Sequence, residues 1–217
     1  MNLRQVRKKI KSISNVKKIT KAMELVSGIK MKRAQAAEFE SRAYRNSLQH
    51  IIGKLIINID STLSLLLTPN NSEKVLTIVI TSNKGLCGAY NVNIFRHLVK
   101  FTDIKESDYI TVGKKGSSFL GRTGHTLIAD FSTTTPLDEV SAVFNLALER
   151  YLNKDYGKIY LVYSKFISTL KSEVVREQIL PVVFNDESTK QNNEKELTYM
   201  IEPSPEQIID FLLKVVS

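Results

Sequence analysis

The stretch VLTIVITSNKGLCGAYN, residues 75–91, decides how the rest of the chain is read. Six consecutive apolar or β-branched residues are the mark of a strand buried on both faces, as in a parallel sheet. Two glycines three residues apart, Gly85 and Gly88, then break the run, with the sole cysteine of the chain, Cys87, between them. Such a turn can cradle a phosphate, present a thiol nucleophile, or do no more than lead a strand into a helix. A dinucleotide fingerprint requires G-x-G-x-x-G and a P-loop requires G-x-x-x-x-G-K-[ST]. Gly85-Leu-Cys-Gly88 satisfies neither, and GKKG at 113–116 lacks the spacing as well. A nucleophilic cysteine needs a neighbouring base or a depressed pKa. No histidine lies near Cys87 in sequence, and its apolar neighbours point to burial. The expectation is a structural strand-to-helix corner near the base of an α/β body, with Asn91 or its neighbours capping the next helix.

Downstream, YITVG (109–113) and KIYLVYS (158–164) repeat the buried-strand pattern. Helical stretches separate them at 90–101, near 115–121 and at 137–152, and this alternation predicts an open, mainly parallel α/β sheet with helices on both faces. QILPVVF (178–184) adds a strand at the sheet's end, where Pro181 is tolerated. Residues 185–197, NDESTKQNNEKEL, form a polar connection, and SPEQIIDFLLKVVS (204–217) opens a helix with Ser204 as N-cap and Pro205 at its first position.

Upstream, residues 2 to about 58 contain no proline and only Gly28 and Gly53, so one very long helix is expected. Leu3, Val6, Ile10, Ile13, Val16, Ile19, Met23 and Val26 follow one another at steps of 3, 4, 3, 3, 3, 4 and 3, a heptad seam with a single stammer. The predicted domains are a shaft over 1–67, a Rossmann-like body over 68–203 and the start of a C-terminal helix over 204–217. Residues 1–45 carry thirteen Lys or Arg against three Glu, while the remaining chain carries 18 basic and 19 acidic residues. A basic arm on a neutral body finds nucleic acid, anionic lipid or an acidic protein surface. The arm's only aromatics, Phe39 and Tyr44, come late and are not interleaved with the cations, so a protein socket is favoured over a nucleic acid. One cysteine and the scattered His50, His97 and His125 supply neither a disulfide nor a metal site, and no cofactor is expected. No apolar run is long enough to span a bilayer, and the N-terminus lacks a signal-peptide core, so a reducing compartment is expected.

Several stretches together carry a resemblance: RKKIKSISNVKKITKAMELVSGIKMKRAQ (7–35), TSNKGLCGAYNVNIF (81–95), VGKKG (112–116), YSKFISTLKSE (163–173) with ILP (179–181), and IEPSPEQIIDFLL (201–213). In that order, across nearly the whole chain, they resemble the gamma subunit of F-type ATP synthase. The resemblance implies a noncatalytic central rotor shaft, half of an antiparallel coiled coil, inside a ring of alpha and beta subunits, with ATP chemistry in the beta subunits. It implies an α/β body standing on the membrane c-ring beside the epsilon subunit, on the cytoplasmic side of a bacterial inner membrane. The ring contacts carried over are Lys8, Lys9, Lys18, Lys21, Met23, Lys30 and Arg33, and the foot facing the rotor ring is Tyr199 and Glu202. Family members continue past FLLKVV with a second long helix, whereas this sequence stops at Ser217, so the expectation is a fragment, a truncated product or a reduced relative whose seam has no partner within the chain. The competing expectation is a reduced gamma-like assembly or regulatory protein that binds the ATPase ring or nucleic acid through its basic helix.

Overall fold

The computed structural model describes residues 2–57, 65–100, 107–132, 140–169 and 171–183. The polar connection at 185–197, Tyr199, Glu202 and the C-terminal helix expected from Ser204 lie outside the described residues. The chain divides into two compact units, Met1–Ile51 and Ile52–Ser217.

Helix α1 runs from Leu3 to Ile57, 55 residues without a break. At 1.5 Å per residue that is about 80 Å of helix. The absence of proline permits the length, and Gly28 is tolerated at a cost of about 1 kcal/mol.

The second unit is built outward from β1 (Val75–Ile80), which the quoted stretch places at its centre. Helix α2 (Tyr90–Lys100), β2 (Ser107–Val112), α3 (Lys114–Arg122), β3 (Leu127–Phe131), α4 (Val140–Leu152), β4 (Lys158–Ser168) and β5 (Lys171–Leu180) follow in chain order. The strands form one sheet in the order β3-β2-β1-β4-β5. The first four are parallel and β5 runs antiparallel to β4. Ile78 lies between Ile110 on one side and Leu161 on the other, so β1 is shielded at both edges as well as on both faces.

Side-chain alternation along the strands sorts the core into two layers. Leu76, Ile78, Ile110, Val112 and Ile159 pack with Val143, Ala147 and Tyr151 of α4 on one face. Val79, Tyr109 and Val162 pack with Ile94 and Leu98 of α2 and Leu120 of α3 on the other. The i, i+4, i+8 spacing of the α4 residues and the i, i+4 spacing of Ile94 and Leu98 put each set on one side of its helix. Helices on both faces of a mainly parallel sheet agree with the reading from strand–helix alternation.

Two strands depart from that reading. Strand β3 was not anticipated: LIADF is only half-buried at the sheet's edge, so it lacks the continuous apolar run that marks β1. Strand β5 begins at Lys171, seven residues before the expected start, and ends at Leu180 before Pro181. Its first six residues, KSEVVR, carry charges because an edge strand is half in water, and the chain reaches them through a tight reversal after Ser168 that pairs Ser168 with Lys171.

Candidate functional site

In an open α/β sheet the ligand crevice lies outside the carboxyl ends of the strands, where the strand order reverses. Here that place is the end of β1, which has β2 on one side and β4 on the other. The first amides of α3 converge on it. Lys114 N donates to Asn83 Oδ1 at 2.9 Å, Lys115 N to Ser82 O at 3.1 Å and Gly116 N to Thr81 Oγ1 at 2.8 Å. Thr81 Oγ1 in turn donates to Gly113 O at 2.9 Å. Free amides at a helix N-terminus are what binds a phosphate, and residues 81–83 consume all three of these.

The glycines of VGKKG serve this joint. Gly113 has φ 109°, and a Cβ there would stand 2.2 Å from Thr81 O. A Cβ on Gly116 would stand 2.9 Å from Thr81 Oγ1. The two glycine-bearing stretches, neither of which has nucleotide-binding spacing, are the two halves of one close-packed contact. No short-range signal in the sequence joins them, because the contact spans about thirty residues.

Beyond Thr81 the corner loop passes through left-handed backbone at Leu86 (φ 63°) and Gly88 (φ 59°). Two expectations are corrected here. Asn91 does not cap α2: it is the helix's second residue, and its side chain reaches back across the loop. Its Oδ1 accepts from Ser82 N at 3.1 Å, and its Nδ2 donates to Ser82 Oγ at 2.8 Å and towards Cys87 Sγ at 3.1 Å. Cys87 is exposed rather than buried. The loop that carries it turns its apolar residues outward, and Leu86 is 88% exposed. Around the thiol stand Asn91, Ser82 Oγ at 3.7 Å and the Lys84 carbonyl at 4.0 Å, none of which is a general base. Gly85, Cys87 and Gly88 lie in the bends that lead from β1 into α2.

The His125 ring is tilted against Tyr109 at 5.4 Å between centroids. His97 is half-buried on α2; burial lowers its pKa, and Lys100 and Arg176 lower it further. Among the described residues no group of three His, Cys, Asp or Glu side chains lies close enough to hold a metal.

The second candidate surface is α1. All seven residues predicted to meet a ring, Lys8, Lys9, Lys18, Lys21, Met23, Lys30 and Arg33, lie on this helix and are exposed. Lys21 is tied to Glu24 at 3.0 Å, one turn along. Lys8, Lys9, Lys18, Lys30 and Arg33 have no acidic partner among the described residues. The seam is bare as well: Ile10, Ile13, Val16 and Ile19 are all more than half exposed, with Ile13 at 68%. Burying a side chain of this size is worth about 1.5–3 kcal/mol. A row of them left in water, on a helix rich in unpaired cations, marks a surface shaped for a protein partner.

Fold and surface together define a class, that of a long-helix subunit with an α/β body whose nucleotide crevice is filled by its own chain. The comparisons with known proteins narrow it. The family model described as ATP synthase matches residues 2–216. The ATP synthase gamma chain of Clostridium perfringens strain SM101 is 34% identical over 216 residues, covering 97% of this chain and 74% of that relative. That of Janthinobacterium sp. strain Marseille is 33% identical, covering 97% of this chain and 75% of the relative. A cryo-EM structure of the central stalk and c-ring of the Tetrahymena thermophila mitochondrial ATP synthase superposes with a TM-score of 0.60 at 20% identity, over 91% of this chain and 87% of the matched chain. That last likeness is one of fold. The chain belongs to the gamma-chain family of F-type ATP synthase, whose members are stalk subunits of a membrane-associated complex.

Proposed function

We propose that this chain is a noncatalytic shaft that couples rotation to ATP synthesis and hydrolysis carried out on other subunits. The observation that carries the reading is α1, a helix of 55 residues with an exposed seam and unpaired cations. A ring of alpha and beta subunits with acidic loops is its socket. Lys8, Lys9, Lys18, Lys21, Lys30 and Arg33 hold angular register there through long-range attraction, without tight packing. Met23, flexible and apolar, suits a contact that must slide past repeated partners. An asymmetric shaft makes the ring's sites differ at any instant, and turning it exchanges their affinities, which is a coupling free energy between rotation and binding. Tyr199 and Glu202 face the membrane c-ring or the epsilon subunit, on the cytoplasmic side of a bacterial inner membrane. The filled crevice at β1 supports a body that supplies structure rather than chemistry.

The test is to reconstitute the chain with alpha and beta subunits. One copy per ring with ATPase activity is the expected product. Changing Lys8, Lys9 and Lys18 together to Glu is expected to weaken assembly while leaving far-UV helicity intact, since exposed charges contribute little to folding. Normal assembly of that variant at low salt, where attraction is least screened, refutes the acidic socket.

A further inference from the structure

Between the end of α1 at Ile57 and the start of β1 at Val75 the chain has no helix or strand among its described residues. Connections of this kind ordinarily run over the surface and move more than the elements they join. Residues 66–74 are instead laced to the body at both ends and in the middle. Leu66 is buried in the same core layer as α4, and its carbonyl accepts from Val182 N at 2.9 Å. Tyr151 Oη, at the end of α4, donates to Thr68 O at 3.0 Å. Asn70 Nδ2 donates to Tyr156 O at 2.8 Å while its Oδ1 accepts from Ser72 N at 3.0 Å, so one side chain both shapes the segment and ties it down. Ser72 Oγ donates to Asp155 O at 3.0 Å, and Lys74 O accepts from Gly157 N at 2.8 Å. A Cβ on Gly157 would collide with Ser72 O, so only glycine admits so close an approach. The α4–β4 loop that holds this strap is itself fixed twice, by Arg150 on Asp155 at 3.1 Å and by Tyr156 Oη donating to Asp108 Oδ2 of β2 at 2.7 Å.

We infer that residues 66–74 are a torque-bearing clasp, which pins the chain arriving from α1 to the α4–β4 loop so that a turning force on the body passes into the helix instead of being lost in a swivel. A connecting segment has two soft dihedrals per residue, so left unlaced it takes up twist as a tether does. The clasp removes that freedom from residues 66–74 by bonding them across to α4 and the loop before β4, and Tyr156 carries the load on to β2. The bonds run in both directions. Body amides and the Tyr151 hydroxyl donate to strap carbonyls, while Asn70 and Ser72 of the strap donate to loop carbonyls. Sliding the strap along the loop therefore breaks them together, which is what a joint under load requires. The inference rests on the proposed shaft function. It assigns to Asn70, Ser72, Tyr151 and Gly157 the positioning of the shaft's root, not a contact with any other subunit.

The test compares coupling with hydrolysis in the assembled complex. The full chain is reconstituted with the complete set of synthase subunits in proton-tight vesicles, and proton uptake is measured per ATP hydrolysed. Two variants open the clasp by different routes: Gly157→Ala pushes the strap away, and Asn70→Ala with Ser72→Ala removes its side-chain bonds while leaving the buried core intact. The amide protons of Gly157 and Val182, which donate into the strap, gauge the opening and are expected to exchange about tenfold faster in the variants. In assembled complexes the coupling ratio is expected to fall at least about threefold, because the freed dihedrals absorb twist, while hydrolysis continues. Ser72→Thr keeps the hydroxyl and is expected to keep the ratio. Ile94→Val, which weakens the other core layer without touching the strap, serves as the control for lost stability. Exchange unchanged in both clasp variants overturns the inference, because the lacing then holds nothing. An opened clasp with an unchanged ratio overturns it too, and so does an equal loss of coupling in Ile94→Val. Failure of the unmodified chain to assemble or couple counts instead against the shaft reading.

Discussion

Replacing Thr81 with Val probes the joint between the corner and α3 most directly, because the side chain keeps its shape and loses only its hydroxyl. Thr81 is buried, and its Oγ1 accepts from Gly116 N at 2.8 Å and donates to Gly113 O at 2.9 Å. Each neutral hydrogen bond contributes about 1 kcal/mol net, and a buried donor left unpaired costs about 1–3 kcal/mol. Gly116 N keeps a fallback acceptor in Gly113 O at 3.0 Å, which limits the loss at that end. The expected destabilisation is therefore about 2 kcal/mol. For a body of this size that corresponds to a fall in Tm of about 4–8 °C. The assay is urea unfolding followed by the near-UV signal of the tyrosines, nearly all of which lie in the body, with an unchanged slope to show that the same surface is exposed. Thr81→Ser, which preserves both bonds, is expected to lose less than about 1 kcal/mol. If Val and Ser behave alike, or if Val costs under about 0.5 kcal/mol, the hydroxyl is not what joins the two motifs and the account of the filled crevice fails.

Three further outcomes test other parts of the structure. Because Cys87 is exposed, a maleimide should label it in the native protein without denaturant, and Cys87→Ser should leave stability and assembly intact, the serine hydroxyl accepting from Asn91 in its place; labelling that requires denaturant contradicts the exposed turn. Burial pushes the Tyr109 hydroxyl up to about 12, against smaller downward pulls from Arg176 and a hydrogen bond with Ser107. The unfolded chain then gives up this proton near pH 10 while the native state keeps it, so stability is whole below pH 10 and falls as pH rises towards 12, by at most about 1.4 kcal/mol per pH unit for this group; Tyr109→Phe should flatten that slope, and an unchanged alkaline profile argues against it. Hydrogen exchange of the isolated chain should be fast along residues 3–44 of α1, where the seam is uncovered, and slow in β1 and β2, since helical stability in proteins comes chiefly from packing; strong protection of α1 in a verified monomer means that the seam has found another cover.

What the residues by themselves determine is the local pattern. VLTIVI is apolar or β-branched throughout, the mark of a strand buried on both faces, and it takes the centre of the sheet. The heptad steps from Leu3 to Val26, with no proline for more than fifty residues, point to a long helix, and every ring-contact cation expected from the sequence lies exposed on it. Patterns of this kind are legible because burial repeats with the period of the element that carries it. Edge strands are not: LIADF and KSEVVR are half in water, so polar residues interrupt the signal. Nor could spacing reveal that Thr81, Ser82 and Asn83 fill the amides of residues 114–116, or that Cys87 faces outward. Those facts depend on which strands pair and on the path of the loop that follows. The same holds for charge. A count along the chain finds a neutral body, and only the packing of α2 and α3 on one face, with strand alternation sending Glu173 and Glu177 to the other, sets those helices' cations apart from these two carboxylates in space. Contacts between residues distant in sequence are set by the pairing of whole elements, and no local period encodes them.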